Sequence, residues 1–228
     1  MEIPIYKSSI ESLELIETFL WEPELGAPDI GLHLERMCKS AGKLKFKFES
    51  SKIKEKIHKI NSENRLRCRL TLTIDGKFNL TTAVLQPNSK KWIIGLSNSV
   101  LSSADPWLLH KSSNRELYDT ERAKLPDGLD ELIYLNERKE VCEGTITNIF
   151  VKKGNQWLTP PLTSGCLPGV LRRKKIEEGS CKVGIITFSD LKEAEKITVG
   201  NALRGEICLL YTSPSPRDGL LSRMPSSA

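Results

Sequence analysis

Glu140-Val141-Cys142-Glu143-Gly144-Thr145-Ile146-Thr147-Asn148-Ile149-Phe150 is the stretch on which the reading of this chain turns. Val141–Glu143 is β-favouring, Gly144 interrupts it, and Asn148–Val151 resumes as a second strand. Glu143 stands at a strand end beside a glycine, where a carboxylate is either solvated or aimed at a ligand cation. Asn148 is either a turn former or a brace for this loop. Downstream, Leu167-Pro168-Gly169-Val170 puts proline and glycine at the opening of a helix. Glycine admits close backbone approach, and the free N–H groups with the helix dipole make a seat for a phosphate. The turn Gly200-Asn201-Ala202 offers a second set of amides. Upstream, Leu109-His110-Lys111-Ser112-Ser113-Asn114-Arg115 supplies a lysine among small polar side chains. A Schiff-base lysine, a counter-ion for a ring nitrogen and a phosphate cradle form one coherent set of chemical requirements.

Outward from this stretch, strands and helices mix without strict alternation, which predicts an α+β fold rather than a doubly wound one. Leu13–Trp21 reads as a strand, Asp29–Leu44 as a helix with apolar residues at three- and four-residue spacing, and Ser51–Asn61 as a second helix capped by Ser51. Leu66, Cys68, Leu70, Leu72 and Ile74 alternate with polar residues, so Leu66–Ile74 is a half-buried strand, turned at Asp75-Gly76 into Lys77–Leu85. Trp92–Leu96, Leu132–Asn136 and Trp157–Thr159 read as strands, and Arg115–Ala123 as a short helix. Pro168–Glu178 is a helix closed by Gly179; Lys182–Phe188 is a strand, Ser189 caps the helix Asp190–Glu195, and Lys196–Val199 is the final strand. Asp105-Pro106 marks the expected boundary between domains 1–105 and 106–207.

A chain of 228 residues with 39% apolar content buries an ordinary globular core. The net charge of +5 is mild and the basic residues are not interleaved with aromatic ones, which argues against a nucleic-acid partner. The six cysteines form no CxxC and the three histidines have no ligand spacing to them, so no metal is expected. Five of them (Cys38, Cys68, Cys142, Cys166 and Cys181) read as small buried residues of a reducing compartment. Without a signal peptide or a spanning apolar run, no membrane partner is expected and the cytoplasm is the expected location. From Cys208 the patterning stops. Cys208–Asp218 and Ser222–Ala228 back-translate to the adapter of a transposase-prepared sequencing library, with Gly219-Leu220-Leu221 where a sample index would lie. Residues 208–228 are therefore expected to be a translated adapter tail, the native chain being interrupted near Ile207.

The order of these motifs resembles the class IV pyridoxal-phosphate enzymes, the group of branched-chain aminotransferase, D-amino acid aminotransferase and 4-amino-4-deoxychorismate lyase. The resemblance covers nearly all of residues 13–207 and rests on Glu143-Gly-Thr-Ile-Thr-Asn-Ile-Phe150, Thr159-Pro-Pro-Leu162 and Leu167-Pro-Gly-Val-Leu-Arg172. It implies a two-domain class IV aminotransferase fold of the D-amino acid aminotransferase-like kind, pyridoxal 5'-phosphate as cofactor, a small-molecule substrate and a homodimer. It further implies that Lys111 is the catalytic, cofactor-bearing lysine, that Glu143 pairs with the pyridine nitrogen, and that Arg36, Gly169, Val170, Asn201 and Ala202 serve the phosphate. Thr18 lies where the family lines its substrate pocket. Where transaminases of the group carry Gly-Ile-Thr, this chain has Gly169-Val170-Leu171, so one phosphate hydroxyl is missing; its N-terminal part is also shorter. These features resemble most the short aminodeoxychorismate lyase-like members, which implies release of 4-aminobenzoate and pyruvate in folate biosynthesis. A class IV aminotransferase acting on branched-chain or D-amino acids is the alternative, and a non-catalytic family member a further one. A transaminase must hold an α-carboxylate, for which Arg65, Arg67, Arg69 and Arg115 are all candidates.

Overall fold

Leu66-Arg-Cys-Arg-Leu-Thr-Leu-Thr73 alternates in burial as it alternates in polarity: Leu66, Cys68, Leu70 and Leu72 are buried and the residues between them are not. The computed structural model describes residues 12–87 and 91–209, which divide into two compact units.

The first unit comprises the described residues up to 87 together with 110–116. Its sheet has the order β1-β2-β3, all antiparallel, from β1 (Glu14–Trp21), β2 (Leu66–Thr73) and β3 (Phe78–Val84). The β2–β3 turn needs Gly76 at φ +89°, where a Cβ would also lie 2.9 Å from Cβ of Lys47. Helices α1 (Ile30–Leu44) and α2 (Ser50–His58) bury Leu34, Met37, Ala41, Ile53 and Ile57. Ser51 does not cap α2; Glu49 occupies the N-cap position and Ser51 lies inside the first turn. The segment 110–116 belongs to this unit because it zips onto the free edge of β1. The Ile16 N–H donates to Lys111 O (2.8 Å), the Ser113 N–H to Glu14 O (2.8 Å), and Leu15 pairs with Ser112 in antiparallel register.

The second unit holds residues 91–109 and 117–209. Its larger sheet runs β10-β9-β8-β11-β12-β4: β4 (Lys91–Trp92), β8 (Asn148–Lys153), β9 (Gln156–Thr159), β10 (Lys182–Val183), β11 (Lys196–Asn201) and β12 (Gly205–Leu209). A smaller sheet, β5-β6-β7, contains β5 (Ile94–Leu101), β6 (Glu131–Asn136) and β7 (Val141–Gly144). Ile133, Val141, Ile149, Val151, Ile186, Leu191, Ile197, Val199 and Ile207 form the main core. The remaining helices are α3 (Glu116–Ala123), α4 (Val170–Glu177) and α5 (Phe188–Glu193).

Three expectations are corrected in this unit. The stretch expected as Trp92–Leu96 is split, β4 joining the larger sheet through β12 and β5 the smaller one through β6. The strand expected over Lys182–Phe188 keeps only Lys182–Val183, because Thr187 rather than Ser189 caps α5. Thr187 and Asp190 form a reciprocal capping box, with the Thr187 N–H donating to Asp190 Oδ2 at 2.8 Å. Finally, β11 is followed by a further strand. Cys208 and Leu209 complete β12 and pair with Lys91 and Trp92, while the rest of the expected adapter tail, 210–228, lies outside the described residues. Cys38 is exposed, whereas Cys68, Cys142, Cys166 and Cys181 are buried. Among the described residues no helix is long and apolar enough to cross a membrane, and no group of three His, Cys, Asp or Glu side chains is gathered for a metal ion.

Candidate active site

Every residue of β7 is buried, so Glu143 carries its carboxylate into the interior, only 7% exposed. Its two oxygens are held separately: Oε2 accepts the Leu167 N–H at 2.8 Å and Oε1 the Tyr118 O–H at 2.9 Å. Burial first, and then the Glu143 charge, hold the Tyr118 phenol protonated far above its usual range. The same two causes push the Cys166 thiol up to about 12. A buried carboxylate that remains charged needs such donors, since unpaired burial costs several kcal/mol.

Behind Glu143 stands a residue that the sequence reading missed. Glu131, fully buried at the start of β6, accepts the N–H groups of Thr145 (2.9 Å) and Ile146 (3.2 Å). It also accepts the hydroxyls of Thr145 and Thr147 and lies 3.4 Å from the Arg122 guanidinium. This knot fixes the 144–147 turn. Gly144 has no substitute there, because a Cβ would sit 2.4 Å from Thr147 Oγ1 and 2.8 Å from the Glu131 carboxylate. Two threonines alternating around an isoleucine after a glycine were the available signal.

The opening of α4 lies against the same turn. Gly169 is the N-cap residue and no side chain caps the helix. A Cβ on Gly169 would fall 1.8 Å from Asn148 Oδ1, and the Asn148 Nδ2 donates to Leu167 O at 3.0 Å. Asn148 thus holds the carbonyl of the residue whose own N–H donates to Glu143. Asn201 uses its side chain on its own turn: Oδ1 accepts the N–H groups of Leu203 (3.1 Å) and Arg204 (2.9 Å), and Nδ2 donates to Ile146 O at 3.1 Å. At Gly200 a Cβ would meet Leu171 Cδ2 at 2.8 Å, so the Asn201-Ala202 turn sits beside α4. Glu143, Asn148, Gly169, Val170, Asn201 and Ala202 are therefore brought together within the second unit.

Lys111, Arg36, Thr18 and Arg115 belong to the first unit. Arg36 grips the buried Glu17 with Nε (2.9 Å) and Nη2 (2.6 Å), and His33 Nδ1 lies 2.6 Å from the same carboxylate. Burial alone would raise the Glu17 pKa, but Arg36 and then His33 outweigh it and bring it to about 2. These contacts put Glu17 on the face of β1 that packs α1. Lys111 is level with Ile16, one residue out of phase with Glu17, so the pleat assigns it to the other face, shared with Thr18. His110, level with Glu17, points the opposite way and meets Ser40 of α1 at 2.8 Å. Arg115 is half-buried at the end of the zipped segment, its N–H donating to Ser113 O at 2.9 Å.

The model of the family described as amino-transferase class IV matches residues 14–208. A candidate aminodeoxychorismate lyase of Schizosaccharomyces pombe is 28% identical over 231 residues, spanning 96% of this chain and 98% of its own. Among solved structures, a candidate amino-acid aminotransferase of Mesorhizobium loti is 36% identical, with a TM-score of 0.83 over 88% of this chain and 100% of that one. A candidate 4-amino-4-deoxychorismate lyase of Haemophilus somnus is 26% identical, with a TM-score of 0.68 over 85% of this chain and 98% of its own. The chain thus belongs to the class IV aminotransferase family and is an enzyme of that pyridoxal-phosphate-dependent class.

Proposed function

We propose that this protein binds pyridoxal 5'-phosphate and converts 4-amino-4-deoxychorismate to 4-aminobenzoate and pyruvate, as a cytoplasmic homodimer. The observation that carries the cofactor reading is the buried Glu143 carboxylate, braced through Leu167 to a helix start that has glycine at its N-cap and no side-chain cap. Those residues fit the group: Glu143 suits a protonated ring nitrogen, and the amides of Val170 and the Asn201-Ala202 turn suit a phosphate. As the family resemblance implies, Arg36 would add positive charge to the phosphate, and Lys111 would hold the cofactor through its ε-amine. When bound, the cofactor supplies an electron sink for charge developing at the amine-bearing carbon of the substrate. Support for the lyase reading comes from the S. pombe relative, which matches along nearly its whole length.

In this reading the Lys111 ε-amine would remove the proton from the amine-bearing carbon of the substrate. The enolpyruvyl group then leaves as the ring becomes aromatic, and Lys111 delivers a proton to its methylene carbon, giving pyruvate. Proton transfer by a positioned base of this kind contributes on the order of 10²–10⁴ in rate. The second reading, amino transfer to a keto acid, is favoured by the 36% identity to the M. loti protein. Purified protein given aminodeoxychorismate without an amino acceptor should release 4-aminobenzoate and pyruvate in equal amounts, and Lys111→Ala should release neither. Amino transfer that depends on a keto acid, with no 4-aminobenzoate, would replace the lyase by the transaminase. Light scattering of the purified protein reads the dimer.

A further inference from the structure

Of the four arginines able to hold a substrate carboxylate, the structure separates two. Arg65 is neutralised at the end of the sheet by Glu22, 2.9 Å from its Nε. Arg115 already has an interaction of its own. Arg67 and Arg69 have neither an ion pair nor a side-chain hydrogen bond among the described residues, although Arg69 is half-buried. In β2 they alternate with the buried Leu66, Cys68 and Leu70, so both point away from α1. Register places Arg69 between Thr18 and Thr81, and Arg67 between Leu20 and Ala83. None of these neighbours is acidic. Lys111 lies on this same face, one row along, level with Ile16 and Thr71.

The first unit thus presents two unneutralised guanidinium groups and the reactive amine on one sheet face. Successive same-face positions on a strand are about 7 Å apart, so two separate anions are accommodated better than one. We propose that Arg67 and Arg69 are the specificity-determining residues of this enzyme and select a substrate bearing two carboxylates. The assignment rests on the lyase reading above and deepens it: aminodeoxychorismate carries one carboxylate on its ring and another on its enolpyruvyl arm, whereas a branched-chain amino acid carries one.

The test uses the holoenzyme, with Arg67→Gln, Arg69→Gln and the charge-keeping Arg69→Lys. KM for aminodeoxychorismate is measured with kcat, and the affinities for isophthalate and benzoate are read from the change each causes in cofactor absorbance. Each Gln variant should raise KM and weaken isophthalate about tenfold or more, as expected for the loss of one charge-assisted contact. Cofactor absorbance should be retained, benzoate should respond to only one of the two Gln variants, and Arg69→Lys should recover part of the loss. Unchanged KM and unchanged isophthalate affinity in both Gln variants would overturn the assignment. If a Gln variant loses the cofactor, Arg69→Lys decides instead, and a loss of isophthalate binding equal to that of benzoate there also overturns it. Should the wild type release no 4-aminobenzoate while isophthalate binding still tracks the two arginines, the lyase reading falls and the two-carboxylate assignment stands.

Discussion

Glu17 and Glu143 are both buried carboxylates, but they are satisfied in different ways, and acid should tell them apart. Glu17 is clamped by the Arg36 guanidinium and hydrogen-bonded to His33, and these contacts outweigh its burial to bring its pKa from 4.5 to about 2. Stability contributed by a lowered carboxyl pKa is present above the unfolded value, near 4.5, and is lost as pH falls towards 2. A shift of that size corresponds to about 3 kcal/mol. Urea unfolding of the wild type should therefore lose more stability between pH 5 and 2 than unfolding of Glu17→Gln, by roughly that amount; parallel curves would show that the Arg36 and His33 contacts carry no such energy. Glu143 depends on a phenol and an amide. Tyr118→Phe removes the hydroxyl that donates to Oε1 and should cost about 1 kcal/mol, with a shifted cofactor absorbance as the local readout. At this scale Glu143 stood out only through the order of the motifs around it, since a strand-end carboxylate beside a glycine is by itself more often solvated; its burial is what the structure adds. Glu17 was not singled out, although it breaks an alternation whose other members, Leu15 and Phe19, are buried. Glu131 was missed because the two threonines of the 144–147 turn hint at a buried acceptor, while only folding shows which carboxylate they meet.

Among the elements, α4 depends on glycine by contact rather than by backbone angle. Gly169→Ala must displace Asn148, whose oxygen occupies the space, and with it the bond to Leu167 O. Pyridoxal phosphate affinity, titrated by absorbance, should fall about tenfold or more. The contrasting change is Gly42→Ala in α1, where a Cβ meets nothing within 4 Å; it should stabilise the protein by about 0.5–1 kcal/mol. Element boundaries show what periodicity resolves. The β2–β3 hairpin was readable because alternation and an Asp-Gly turn agree. Lys182–Phe188 misled because Ile185, Ile186 and Phe188 favour strands, while the decisive signal, Thr187 followed three residues later by Asp190, is a cap. Gly205–Leu209 was passed over because a five-residue strand has little period of its own and takes its form from β11 and β4.

At the level of the molecule, both units are assembled from segments far apart in sequence. The first is completed only by 110–116, the second by a strand that ends at Leu209. Deleting the chain from Gly205 onward removes the partner of β4 and a neighbour of β11, together with the buried Ile207 and Leu209. Such a variant should lose the cooperative unfolding transition of the second unit, followed by tryptophan fluorescence of Trp92 and Trp157; an unchanged transition would mean that the sheet closes without β12. The mixed α+β class and the family were legible from motif order, but this closure was not, because parallel pairing of β4 with β12 leaves no local trace in either segment. Its consequence falls on biosynthesis. Chains are made from the N-terminus at about 5–20 residues per second, so Lys91 and Trp92 emerge and wait on the order of ten seconds for the strand that will cover their edge. An uncovered edge is a template for a neighbouring chain, and on polysomes those neighbours are copies at the same stage. The yield of folded enzyme should accordingly rise when cooling slows translation less than it slows edge-to-edge association, or when a chaperone occupies the β4 edge until Leu209 arrives.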